Sequence, residues 1–276
     1  MSTLSVARKD LLDVRRSKTV WAVGALYTLF AVLFFYLGQI STSEPDVIMQ
    51  LLSLASIGAL FIPLIALVTA YLAIAGERES GSIKYLLSLP NTRRDVVLGK
   101  YLSRGAVVGA AIVFAFAVGA VLTLLWYPSL EAATFARVVG LTLLFTLAYV
   151  AVAIGISAAT SSRSRAMGGA IGFYFVGNLL MVFPGLSIVG LFQYALNDRL
   201  GLGISEHAFE FVRRLSPTVA YEEAMPLAFP NDEITLTGTT DVPAYLEPEV
   251  AVLVLVAWLV VPVALGLWHF DRVDLG

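Results

Sequence analysis

Six stretches of about twenty apolar residues fill most of this 276-residue chain, and they decide what it can fold into. A run of that length spans the hydrocarbon core of a bilayer as a helix. Inside lipid the backbone must satisfy its own hydrogen bonds, so such runs cannot remain irregular. The runs cover residues 20–40, 51–75, 105–126, 138–160, 166–192 and 250–270. Only 14% of residues are charged, against roughly 25% in soluble domains. The expected fold is all-α: one polytopic membrane domain, residues 1–276, with six transmembrane helices. The first run is too long for the apolar part of a cleaved leader, so it is expected to stay as an anchor.

Lys and Arg set the orientation. Fourteen of the eighteen fall in the tail before the first run, in residues 76–104, in 161–165 and at the C-terminus. Arg137, Arg199, Arg213 and Arg214 fall on the other side. Basic residues gather on the cytoplasmic side, which predicts both termini in the cytoplasm of a multi-pass plasma-membrane protein. Thirteen of the twenty acids lie outside by this map.

Residues 1–19 have Leu4, Ala7, Leu11 and Val14 at helical spacing with basic flanks, the pattern of a helix lying in the membrane interface. Residues 193–247 form the one long external segment. Within it, Ile204, Ala208, Phe211, Val212 and Leu215 predict a short amphipathic helix. Residues 231–243 alternate apolar residues with turn formers, as a hairpin would. Pro63, Pro184 and Pro262 should kink their helices. Gly105 with Gly109, and Gly168 with Gly172, allow close helix packing, within the chain or between copies.

Enzymatic motifs fail on inspection. A P-loop needs G-x-x-x-x-G-K-[ST], but Tyr101 follows Gly99-Lys100 and Arg94 replaces the first glycine. There is no cysteine, and His207 and His269 fall on opposite sides of the predicted membrane. Glu222-Glu223 lacks the arginine of an intramembrane protease motif, because Leu227 stands there. Residues 185–188 lack the second glycine of a rhomboid serine motif, because Ile188 stands there. No Asp, Glu, Lys or Arg sits in mid-span, which disfavours a proton- or ion-coupled carrier. Asn178 is the most polar group well inside a run. It marks either a pathway or a helix–helix hydrogen bond, the bond being favoured.

Residues 76–104, GERESGSIKYLLSLPNTRRDVVLGKYLSR, interrupt this apolar background. Ile83, Leu86 and Leu87 share one helical face, and Leu89-Pro90 ends that helix. Thr92 and Asp95 then fit a capping box opening a second helix. An apolar ridge with a charged rim (Glu77, Glu79 and Lys84) suits docking onto another cytoplasmic protein. A loop kept only for topology would explain the charge but not the two-helix pattern.

Those residues carry a resemblance. Glu77, Arg78, Glu79, Gly81, Ser82, Leu86, Leu87, Pro90, Arg93, Gly99 and Lys100 match the pattern after the second span of type-two ABC transporter permeases. Pro217 and Tyr221 look like that family's external proline motif. The layout is similar to the subgroup that includes the permease of the copper-processing nitrous-oxide-reductase maturation transporter. The resemblance implies an exporter subunit that forms the pathway as a dimer with a second permease copy or a sister permease. It also implies two separate ABC ATPase subunits, which would bind the ATP and magnesium, leaving no cofactor in this chain. Residues 76–90 would be the coupling helix. Its contact residues would be Glu77, Arg78, Glu79, Gly81, Ile83, Lys84, Leu86, Leu87, Pro90 and Arg93, with Phe211, Pro217 and Tyr221 forming an external gate. A membrane scaffold or sensor, or an intramembrane enzyme, is the alternative class.

Overall fold

The computed structural model describes residues 3–14, 18–41, 45–182, 187–229, 245 and 247–273. Among these, every regular element is helical. Five helices are long and apolar enough to cross a membrane: α2 (Lys18–Ser41), α3 (Val47–Ala70), α6 (Arg93–Trp126), α7 (Ala132–Ala159) and α13 (Pro248–Arg272). The outward faces of α6 and α13 are apolar, with Phe114, Leu124, Leu253 and Leu265 exposed, as lipid-facing surfaces require.

Helix α7 is the axis of the bundle, with α13, α3 and α6 packed against it. Glycine makes the α7–α13 crossing possible. A Cβ on Gly155 would lie 2.4 Å from the Pro262 carbonyl oxygen, and one on Gly266 would lie 2.7 Å from the Gly155 backbone. Pro262 sits inside α13, and Pro63 is buried inside α3.

The run at 166–192 departs from the expected single helix. Helix α8 (Arg163–Tyr174) passes into a π-helical stretch, Phe175–Leu179, then a short α9 (Leu180–Val182). A further helix, α10 (Ile188–Gln193), precedes a second π stretch, Tyr194–Arg199. Five long apolar helices, rather than six, are therefore found among the described residues. Pro184 and the expected hairpin at 231–243 lie outside those residues. The amphipathic external helix is present as α11 (Glu206–Arg214), capped by Ser205. Pro217 then opens α12 (Pro217–Ala224) at its first position, where its missing N–H costs nothing.

The N-terminal helix α1 (Thr3–Val14) packs on α6. Its buried face is Val6, Asp10 and Val14, while Leu4 and Leu11 are exposed. Of the expected apolar stripe, Leu4 and Leu11 point away from the bundle and Val14 points into it, beside Val6 and an aspartate. Gly99 permits that docking, because a Cβ there would lie 2.8 Å from Val6 and 2.9 Å from the Thr3 carbonyl.

A candidate coupling site

The charged segment folds as α4 (Ala75–Glu79) and α5 (Ile83–Ser88), followed by α6. Gly81 links the two short helices at φ +75, a conformation glycine adopts without steric cost. Helix α5 stops where Leu89 turns extended before Pro90, the conformation the following proline favours. The Asn91 amide donates to the Leu86 carbonyl at 3.0 Å and closes that end. Thr92 and Asp95 form the expected capping box on α6. Asp95 also accepts from the Thr3 hydroxyl at 2.6 Å, which brings α1 to the same corner.

The charged residues of this segment tie the membrane helices together. Glu77 accepts from Lys100 of α6 at 2.8 Å. Arg78 donates to the Ala158 and Thr160 carbonyls at the end of α7, at 3.1 and 2.9 Å. Glu79 accepts the Arg163 backbone N–H at 2.6 Å and so caps α8. Arg93 donates to the Phe270 carbonyl and, at 2.8 Å, to that of Val273, holding the end of α13. The Arg78 and Arg93 guanidinium groups both sit against the Phe270 ring, at 5.5 and 5.2 Å from its centroid, within cation–π range. Ser157 of α7 accepts the Ile74 and Ala75 N–H groups at 2.9 and 3.0 Å, which secures the start of α4.

Asp10 completes the network. Lys100 reaches it at 3.1 Å, and Arg104 meets both its oxygens at 3.1 and 3.3 Å. The Ser103 hydroxyl donates to it as well. Arg104 also donates to the Thr69 carbonyl at the end of α3, at 2.9 Å. Burial raises the Asp10 pKa, but Lys100, Arg104 and Ser103 together outweigh it and hold the carboxyl below its ordinary range. The sequence reading missed Asp10, Ser103 and Arg104 as a set. The available signal was an aspartate spaced four residues from both Val6 and Val14.

These ties change the picture of the docking face. Ile83 is 2% exposed and Leu86 is also buried, both in the core that holds Val96 and Val97. Leu87 is partly buried against the same core. Glu77 and Glu79 point to partners within the chain rather than to a charged rim. The exposed side of α5 and its exit is Lys84, Tyr85, Ser88, Leu89 and Pro90, with Tyr85 80% exposed. An apolar ridge on a six-residue helix reads the same whether it faces a partner or the helix's own protein.

The three expected gate residues have different surroundings. Tyr221 is buried, stacked on Phe145 at 4.2 Å and bonded to the Thr142 hydroxyl at 2.9 Å. Pro217 is buried at the start of α12. Phe211 is partly exposed and packs edge-on to Tyr245. Asn178 is fully buried in the π stretch, and its amide donates to the Ala59 carbonyl at 2.7 Å and the Thr218 hydroxyl at 2.9 Å. It therefore makes the favoured helix-to-helix bond. In the same stretch the Gly177 carbonyl accepts from Ser216 at 2.7 Å and Tyr149 at 3.3 Å. The π stretch thus anchors the proline helix. Among the described residues there is no cluster of three His, Asp or Glu able to hold a metal.

Fold and ties together define a class: an all-α, multi-pass membrane protein whose short connecting helices are bound to the ends of its spans. The chain belongs to the ABC-2 transporter family, whose model, described as ABC-2 family transporter protein, matches residues 4–275. It is 35% identical over 206 residues to the probable ABC transporter permease protein NosY of Pseudomonas aeruginosa, covering 71% of this chain and 74% of that one. Its identity to the protein of the same description from Stutzerimonas stutzeri is 28% over 277 residues, covering 97% of each. The chain is thus a transmembrane permease subunit of ABC-transporter type, a transport component and not an enzyme. Its family implies pairing with ATPase subunits in a lipid membrane.

Proposed function

We propose that this permease works as one half of an ATP-driven exporter, with two ATPase subunits docking on residues 76–90 from the cytoplasm. The observation that carries this reading is the contrast within that segment. Glu77, Arg78 and Glu79 are each bonded to a different membrane helix, while Tyr85 projects into solvent. A force applied at Tyr85 and Leu89 then reaches α6, α7, α8 and, through Lys100 and Asp10, α1 together. Rigid, hydrogen-bonded elements carry such coupling between sites.

The permease pairs with a second copy or a sister permease through α8 and the first span. On α8, Gly168 and Gly172 have open space where a Cβ would go, which lets another helix approach. Gly105 and Gly109 instead meet Leu147 and Leu143 of α7 within the chain. Both termini lie in the cytoplasm, and α11 and α12 form the external cap. The NosY likeness favours a relative of that subgroup.

The chain has no cysteine, so single-cysteine cross-linking tests the arrangement. Tyr85→Cys should cross-link to the ATPase in native membranes, and Gly168→Cys should yield permease dimers. Absence of an ATPase adduct from Tyr85→Cys, with wild-type transport, would refute the docking assignment.

A further inference from the structure

Helices α2, α3 and α12 enclose an open cleft of about 350 Å³. Phe34 and Leu60 supply apolar wall, and Ser53, Ser56, Asn178 and Glu222 supply the polar groups. Glu222 is largely desolvated, and its neighbour Glu223 takes both nearby arginines, Arg214 and, at 3.4 Å, Arg213. Glu222 itself forms no ion pair among the described residues. Burial pushes its carboxyl above the ordinary range, opposed by Arg213 and reinforced by Glu223. Asn178 spends both amide hydrogens on Ala59 and Thr218. Its side-chain oxygen is buried and accepts no hydrogen bond among the described residues.

A desolvated carboxylate beside an unmatched carbonyl oxygen is costly unless something supplies charge and donors. Among the described residues no cationic side chain lines the cleft. One carboxylate is too few for a dedicated protein site for a hard divalent ion, and the apolar walls favour an organic body. We propose that this cleft binds an organic cation carrying N–H donors and an apolar body, with Glu222 as its countercharge and Asn178 as its acceptor. This names the substrate class of the permease reading and rests on it.

The probe is ethidium, a cation with two amino groups and an aromatic body. It is titrated by fluorescence into the purified full-length chain in nanodiscs, with empty nanodiscs as the baseline. Saturable binding is expected, weakened at least about tenfold by Glu222→Gln, as loss of a desolvated countercharge requires. Leu60→Trp, which fills the cleft and keeps the carboxylate, should weaken it similarly. Tetraphenylphosphonium, a cation without N–H donors, should compete poorly. Equal ethidium affinity in wild type and in Glu222→Gln, or no saturable binding, overturns the site, and tight tetraphenylphosphonium competition overturns the acceptor role of Asn178. No ATPase is needed, so failure here with an intact Tyr85→Cys adduct removes the ligand class alone. Ethidium binding without the adduct removes the docking assignment alone.

Discussion

Truncating Tyr85 should disconnect the permease from its ATPase without disturbing the permease itself. The ring is 80% exposed, so removing it leaves no cavity in the chain. In a docked complex it would lose on the order of 100 Å² of apolar surface to the partner, worth about 2.5 kcal/mol at ~25 cal/mol per Å². That lies within the range of interface residues that dominate binding, roughly 2 kcal/mol or more. Each 1.4 kcal/mol is a factor of ten, so Tyr85→Ala should weaken ATPase association about 60-fold per docking site. The assay is titration of purified ATPase onto permease in nanodiscs, beside Tyr85→Phe, which keeps the ring and should stay within several-fold of wild type. Wild-type affinity in Tyr85→Ala, with normal folding, would refute the argument that the exposed face of α5 does the docking.

Other perturbations should act on the permease itself. Leu86→Asp places an unpaired charge in the apolar core. It should lower the melting temperature and yield of the isolated permease, an effect that a purely partner-facing leucine would not produce. Asp10→Asn removes the shared partner of Lys100 and Arg104 and should cost about 3–5 kcal/mol of α1 docking. Increased protease access to residues 1–19 would report it, and unchanged access would count against the network. In the wild type, Asp10 has a lowered folded-state pKa, so its stabilising contribution is present above the ordinary carboxylate pKa of about 3.9. That contribution is lost as pH falls through the still lower folded value. Acid release of α1 should therefore occur below about pH 4 and be reduced as a pH effect in Asp10→Asn, where the Thr3–Asp95 bond is the acid-sensitive tie that remains. Gly99→Leu should also displace α1, since Val6 and the Thr3 carbonyl occupy the space its side chain needs, and the same protease assay reads it.

Much of the architecture is legible in the one-dimensional pattern. Long apolar runs must become helices in lipid, and the asymmetry of Lys and Arg gives an orientation to test. Capping residues are equally local, so Thr92 with Asp95 marks a real helix start. The pattern from Glu77 to Lys100 carries family membership, because its spacing is dictated by where α4, α5 and α6 must meet their neighbours.

Tertiary structure decided what those residues touch. Leu86 reads as a ridge for a partner, but α5 turns Ile83 and Leu86 into the core and leaves Tyr85 outside. Asp10 looks like a polar interruption of α1 until folding brings Lys100 and Arg104 to it from ninety or more residues away. The run at 166–192 is apolar but for Asn178 and Ser187, so hydropathy cannot register its π stretch. There the backbone changes its hydrogen-bond spacing to present Gly177 and Asn178 to α12 and α3. Hydrophobicity is a property of each residue and survives in the sequence. A partner is a property of two residues far apart in the chain, and only the packed helices put them within hydrogen-bonding distance.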